Sequence, residues 1–276
     1  MKKTIILMFL FSIVLLAKGD RLNKIIENGI KNKIQLLSLQ ERMIPIAKEF
    51  INVPYLGGTL DIGVQEKCII NTDALDCVTF YENVLAIAHS FDNLESKRQM
   101  IEKIYNNVEN TRYRDGKLDG YVSRLHYTSD WIIDNEKRGN IKNISKELKG
   151  ELLNQNVYFM SKNYKKYPRL IANIELVKKI AKIEKSINNE KLFYIPKSKV
   201  ESISSKIKSG DIIAITTNIK GLDFSHTGLA YRDKKGELRL FHASTKSNKV
   251  IIDEALHLYL KKHKTQTGIC VLRPIN

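Results

Sequence analysis

Apolar residues recur at helical spacing soon after Ser38. The run Ser38-Leu39-Gln40-Glu41 has the form of a capping box, and Met43, Ala47, Phe50 and Ile51 follow on one helical face. Pro45 falls inside this helix and is expected to kink it. Residues Pro54 to Thr59 read as a turn or loop, and a second helix is marked from Asp76 to Ala88 by Val78, Tyr81, Leu85 and Ala88. Residues 137–208 are rich in lysine, nearly free of glycine and helical in period. Leu170, Ile174, Val177 and Ala181 form an amphipathic stripe there, so the stretch reads as a mainly helical sub-lobe inserted in the fold. The C-terminal third changes texture. Asp211–Thr216, His226–Arg232, Glu237–Ala243, Val250–Asp253 and Ile269–Arg273 are short, rich in Ile, Val, Leu and aromatics, and separated by Gly and polar clusters. They predict an antiparallel sheet, and helices followed by strands predict an α+β fold.

The first nineteen residues read differently. Lys2 and Lys3 precede an apolar run from Ile5 to Ala17 broken only by Ser12, and Ala17-Lys18-Gly19 supplies small residues at a cleavage site. This is the form of a secretory signal peptide, too short for a comfortable membrane span. Cleavage after Gly19 leaves 257 residues as a single domain, 20–276, with a charge of +13. The expected location is the periplasm or cell envelope, with no membrane anchor retained after cleavage. An uncleaved N-terminal anchor is the alternative.

Hydrophobic residues make up 43% and charged residues 28% of the 276, which excludes wholesale disorder and allows a full core without metal or disulfides. The full chain carries a net charge of +16, and the surplus is mostly lysine, read as spread over the chain. No run of arginine interleaved with aromatics and no nucleic-acid module accompanies it, so nucleic acid is not the expected partner. Such a positive field suits envelope polyanions, or simply a soluble surface. Cys68, Cys77 and Cys270 are too few for a disulfide scaffold, and an odd number leaves at least one thiol free or paired between chains.

Cys77 directly follows Asp76, a good N-cap residue, at the start of the second predicted helix. Unpaired N–H groups and the helix dipole favour a thiolate there, so a depressed pKa is expected. A small core residue or a disulfide with Cys68 are the alternatives. His226 opens one predicted strand and His242 nearly closes the next. If Asp233–Lys235 is a tight loop pairing Arg232 with Gly236, the two histidines stand directly opposite, about 5 Å apart at Cβ. Such a pair suits a base and the group that holds its tautomer, though ordinary sheet histidines share the spacing. A zinc site lacks the usual ligand spacing, and no cofactor is implied.

Taken together, Pro54-Tyr55-Leu56-Gly57-Gly58, Asp76-Cys77-Val78-Thr79-Phe80, Ser225-His226-Thr227-Gly228 and His242-Ala243-Ser244 resemble the NlpC-type, papain-like cell-wall cysteine hydrolases. Thr59-Leu60, Arg112-Tyr113-Arg114, Ser123-Arg124-Leu125-His126-Tyr127, Asp130-Trp131 and Gly221-Leu222-Asp223 are similar to the N-acetylmuramoyl-L-alanine amidase-like branch of that group. Tyr81 stands where that branch is expected to favour Val, a helix-packing position. The resemblance spans about Ser38 to Pro274. It implies a papain-like fold with the cysteine at a helix N-terminus packed on the sheet, and a Cys77–His226–His242 triad. The implied substrates are peptidoglycan fragments (muropeptides), cut between muramic acid and L-Ala by a protein expected to be a monomer.

Tyr55 is placed by the resemblance beside the nucleophile, and Asp76 and Ser225 join it as substrate-site residues. Arg124, Tyr127 and Trp131 form a polar and aromatic cluster able to grip a carboxylate and stack on a sugar. A core role for Trp131, the only tryptophan, is the alternative reading. Three rival functions share these residues: a γ-D-glutamyl-diamino-acid endopeptidase with the same triad, an acyltransferase using the same Cys–His pair, and a non-catalytic basic envelope-binding protein.

Overall fold

The computed structural model describes residues 21–63, 65–93 and 95–275, so the proposed signal peptide lies outside the described residues. Among those described, no helix is long and apolar enough to cross a membrane. Helix α1 covers 21–31, α2 Leu39–Lys48, α3 Cys77–Ser90, α4 Lys97–Arg112 and α5 Thr128–Lys137. Strands β1 (Ile141–Asn143) and β2 (Glu151–Leu152) follow, then α6 (Phe159–Lys162), α7 (Pro168–Ala172), α8 (Ile174–Ile187), β3 (Phe193–Pro196) and α9 (Val200–Ile203). The chain closes with β4 (Ile212–Thr217), β5 (Phe224–Arg232), β6 (Leu238–Ser244), β7 (Lys249–Ala255), α10 (Leu256–Lys262) and β8 (Gln266–Pro274). The result is α+β: one antiparallel sheet in the order β2-β3-β8-β4-β5-β6-β7, with β1 also paired to β8.

The sheet is buried on both faces, which is why β4 reads as the nearly continuous apolar run Ile-Ile-Ala-Ile rather than an alternation. Ile212, Ala214, Leu229 and Phe241 turn to a core shared with α2, α3 and α4. Ile213, Ile215, Ala230 and Leu240 turn to a second core closed by Leu256, Tyr259 and Leu260 of α10. Helix α3 is the centre of the larger core. From Thr79 to Ala88 every residue is buried, so the predicted stripe of Val78, Tyr81, Leu85 and Ala88 is only part of a helix enclosed on nearly all sides.

Residues 137–208 divide between two structures. β1, β2 and β3 extend the sheet, while α6, α7 and α8 form a small lobe around Met160, Leu170, Ile180 and Ile187 with Tyr121 and Tyr127. Only part of the predicted stripe Leu170–Ile174–Val177–Ala181 packs in this lobe: Leu170 is buried in it and Val177 packs against it. Asn173 ends α7 and caps α8, its Oδ1 accepting the Glu175 N–H at 3.1 Å, and the break resets the helical phase. Ile174 and Ala181 are exposed, and Ile180, Glu184 and Ile187 face inward instead.

Candidate active site

Cys77 is the first residue of α3, and Asp76 is its N-cap. Oδ1 of Asp76 accepts the N–H groups of Val78 (3.1 Å) and Thr79 (2.8 Å), and the Thr79 hydroxyl accepts the Asp76 N–H at 2.9 Å. The cap therefore uses the Asp76 side chain for the helix and holds Cys77 rigidly. Thr227 of β5 donates to the Cys77 carbonyl at 2.8 Å, tying the helix start to the sheet. All three cysteines are free thiols. The expected depressed pKa of Cys77 is corrected by its surroundings. Burial, reinforced by the Asp76 charge, pushes the thiol up to about 11 against the opposing hydrogen bonds of Thr227. Tyr55, half-buried on the preceding loop, has its phenol raised by burial and by the neighbouring Cys77 and Asp76 charges.

The two histidines meet, but not as the sequence predicts. Asp233 N–H donates to the Glu237 carbonyl, Gly236 N–H to the Asp233 carbonyl, and Gly236 sits at φ 80°. The loop is therefore Lys234–Gly236, a turn closed by a left-handed glycine, and Arg232 pairs with Leu238 rather than Gly236. The register slips by two residues. His226 and His242 become diagonal neighbours, and Gly228 comes to lie against the Cβ of His242, where a side chain would collide. Diagonal residues reach each other when their side chains are long. His226 Nε2 lies 2.5 Å from His242 Nδ1, and the rings meet edge to face at 4.8 Å. His242 Nε2 contacts Asp253 Oδ2 of β7 at 3.2 Å. Tyr259 of α10 flanks both rings, and His263 packs on Tyr259 in turn.

Asp253 has no counterpart in the sequence reading. The β6–β7 register shifts between Arg239 and Phe241, and such a bulge re-aims a side chain. A second shift, where β4 meets β5 at Ile215 and Thr216, leaves Ser225 as the extra residue beside His226. The Ser225 hydroxyl is buried and makes no hydrogen bond within the protein.

The order of contacts fixes the protons. A carboxylate only accepts, so His242 carries its proton on Nε2 and presents a bare Nδ1. His226 then donates from Nε2, which leaves its Nδ1 unprotonated. Burial keeps both rings neutral. It lowers the His226 pKa to about 3, with the neighbouring His242 adding to the shift, and it also lowers His242 against the opposing pull of Asp253.

Cys77, Ser225 and His226 line a cavity of about 240 Å3 together with Tyr127, Asp223, Tyr121, Tyr167 and Asp61. A larger cleft of about 740 Å3 adjoins it, sharing Asp61, Tyr121 and Tyr167, and extends to Arg169, Asn173 and Leu176 of the lobe. Glu66 is the hub of its wall. This buried carboxylate contacts the Tyr113 hydroxyl (3.1 Å), Arg124 (3.5 Å) and Arg169 (3.2 Å).

The other predicted contacts fall outside the catalytic cavity or serve the scaffold. Arg124 is buried, and Asp61 and Glu66 already match its charge, so it braces the cleft wall. Tyr127 lines the cavity, yet its hydroxyl donates to Glu184 and accepts the Met160 N–H, both at 2.7 Å. Trp131 is 1% exposed and packs edge-on against Tyr81 at 5.0 Å, so stacking on a sugar is corrected to a core role. Asp223 anchors α5: its Oδ2 accepts the N–H (2.7 Å) and hydroxyl (2.6 Å) of Ser129.

The solved structures most like this fold include an N-acetylmuramoyl-L-alanine amidase from Bacteroides uniformis. It is 35% identical, with a TM-score of 0.80 over 86% of this chain and 99% of that one. A Bacteroides fragilis protein provisionally named as a xylanase is 40% identical, with a TM-score of 0.75 over 82% and 98%. A Legionella pneumophila protein, 22% identical with a TM-score of 0.67 over 95% and 97%, shares the fold. No curated protein matches the chain. Residues 45–269 match the AmiA-like family, described as N-acetylmuramoyl-L-alanine amidase-like, and the chain belongs to that family.

Proposed function

We propose that this protein is an exported cysteine amidase of the NlpC-type, papain-like group, cutting the amide between N-acetylmuramic acid and L-Ala in muropeptides. The observation that carries the reading is the chain of contacts from Asp253 through His242 to His226, opening on the cavity that Cys77 lines. His226 Nδ1 takes the thiol proton as Cys77 Sγ bonds to the lactyl carbonyl carbon. The Asp76 cap consumes the N–H groups of Val78 and Thr79 and leaves that of Cys77 at the helix start for the oxyanion. The C–N bond then breaks, and the amine of L-Ala leaves with the proton from His226. Water, deprotonated by the same nitrogen, cleaves the thioester and restores the thiol.

Burial favours neither a thiolate at Cys77 nor an imidazolium at His226, so the resting pair is neutral and proton transfer accompanies attack. A xylanase reading needs two carboxylates free to act across a glycosidic bond. Here Asp61 pairs with Arg124, and both oxygens of Asp223 accept hydrogen bonds from Ser129 and Phe224.

The test is mass spectrometry of products from defined muropeptides. A stem peptide released with a free L-Ala amine is expected. A muramoyl-dipeptide product would instead identify a γ-D-glutamyl-diamino-acid endopeptidase and overturn the assigned bond. No hydrolysis alongside acyl transfer to an added amine would identify an acyltransferase.

A further inference from the structure

The lysine surplus is concentrated in one segment rather than diffuse. Residues 137–208 hold 16 Lys and 2 Arg against 6 Glu and no Asp, a net charge of +12. All the rest of the chain from residue 20 onward holds 25 basic and 24 acidic residues, a net of +1. Every lysine of that segment except Lys197 is exposed.

The lobe concentrates this charge on α8. Its inward face is Ile180, Glu184 and Ile187, and its outward face carries Ile174, Lys178, Lys182 and Lys185 at positions that align along a helix. The stripe is roughly 16 Å long at 1.5 Å per residue. Glu175 pairs with Lys178 at 2.8 Å, while Lys182 and Lys185 have no carboxylate partner among the described residues. Lys165 and Lys166 add to the exposed charge before α7. At the start of the stripe stand Ile171 and Ile174, 58% and 53% exposed.

We infer that this outward face of the lobe docks on an anionic phospholipid surface. Lysine heads are flexible point charges that suit scattered headgroup phosphates, where arginine forks suit a fixed bidentate partner. Two exposed isoleucines beside the lysines supply an apolar contact that a hydrated polyanion does not reward, and the exposed lysine row suits the negative potential of an anionic headgroup surface. Docking there holds the large cleft close to the membrane, because Asn173 and Leu176 of the same helix region line it. The inference is independent of the proposed reaction and is tested without turnover.

The experiment is co-sedimentation of the intact protein with vesicles of phosphatidylcholine alone, vesicles containing about one-third phosphatidylglycerol, and purified sacculi, at about 0.05 M and 0.5 M salt. Binding to the anionic vesicles at low salt, lost at high salt and absent with phosphatidylcholine, is expected. The triple variant Lys178→Glu, Lys182→Glu, Lys185→Glu is expected to bind about a hundredfold more weakly. Lys234→Glu, Lys235→Glu, Lys246→Glu makes the same change of net charge on exposed residues outside the lobe and is expected to bind within about twofold of wild type. Circular dichroism and Tm report that both variants fold. Equal losses in the two triple variants would reduce the effect to net charge and overturn the docking face. Sedimentation with sacculi but not with anionic vesicles would overturn the lipid in favour of a wall polymer.

Discussion

The histidine end of the sheet and the wall of the large cleft are both polar and buried, yet they are built in different ways. At the sheet end, β5, β6 and β7 supply His226, His242 and Asp253 from adjacent antiparallel strands, and His242 contacts His226 on one side and Asp253 on the other. The backbone ladder sets their spacing, and two bulges adjust their aim. At the cleft wall, Glu66, Asp61, Arg124 and Arg169 come from loops and helices far apart in the chain and hold one another by charge. The strand-built group suits chemistry that needs fixed proton positions. The wall instead joins the core to the basic lobe, and its ion pairs couple the position of the lobe to the loop before Cys77.

Substitutions can break this division. Cys77→Ala and His226→Ala are expected to lower hydrolysis by at least about 10⁴-fold while leaving Tm near wild type, because nucleophile and base act as a unit. Steady-state kinetics and thermal unfolding on the same preparations check this. Near-normal turnover in a folded His226→Ala protein would dissolve the sheet-end assignment. Iodoacetamide labelling of Cys77 is expected to rise only as pH approaches about 11, in keeping with a neutral resting thiol. A labelling midpoint near neutrality would restore the thiolate reading.

Trp131 belongs to the core and not to either cavity. Its replacement by Ala is expected to cost about 3–5 kcal/mol, measured by denaturant unfolding. Trp131→Phe should keep KM unchanged, since the ring lies against Tyr81 and not in either cavity. A selective rise in KM would return Trp131 to the substrate site.

Asp253→Asn sharpens the comparison from the other side. It keeps the shape but lets His242 adopt the opposite tautomer, which disturbs His226 two bonds away. A fall in kcat on the order of 10²-fold with little change in KM is expected, smaller than the about 10⁴ of an orienting carboxylate in direct contact with the base. Equal kcat in the two proteins would make Asp253 a structural neighbour only.

Much of this was legible in the chain, and the failures have physical causes. The five strands of the C-terminal third were visible because each is a short apolar run ended by Gly or polar clusters. Asp76 and Cys77 were visible because a helix start has its own local chemistry. The histidine register was missed by two residues because Gly236 closes the loop in a left-handed conformation instead of pairing with Arg232. Asp253 was hidden because a bulge, which depends on tertiary packing, turns it toward His242. The raised pKa of the thiol is not legible in the sequence, because helix position is a local property whereas desolvation depends on what encloses the site.

The smallest expected effect concerns stability against pH. His226 is neutral in the folded protein with a pKa near 3, whereas an unfolded histidine titrates near 6.5. Between those values the unfolded chain binds the proton and the folded one does not, so stability contributed by this group falls as pH drops from about 6.5 toward 3. Glu66, Glu82, Asp130 and Asp223, raised by burial, titrate with the opposite sign and mask the effect in any single melting curve. The informative quantity is the difference between wild type and His226→Gln, which share those carboxylates. The Tm of wild type is expected to fall relative to the variant through that window and to run parallel to it above about pH 7.5. Parallel curves throughout would mean that His226 titrates alike in both states, and the neutral relay through His242 to Asp253 would have to be abandoned.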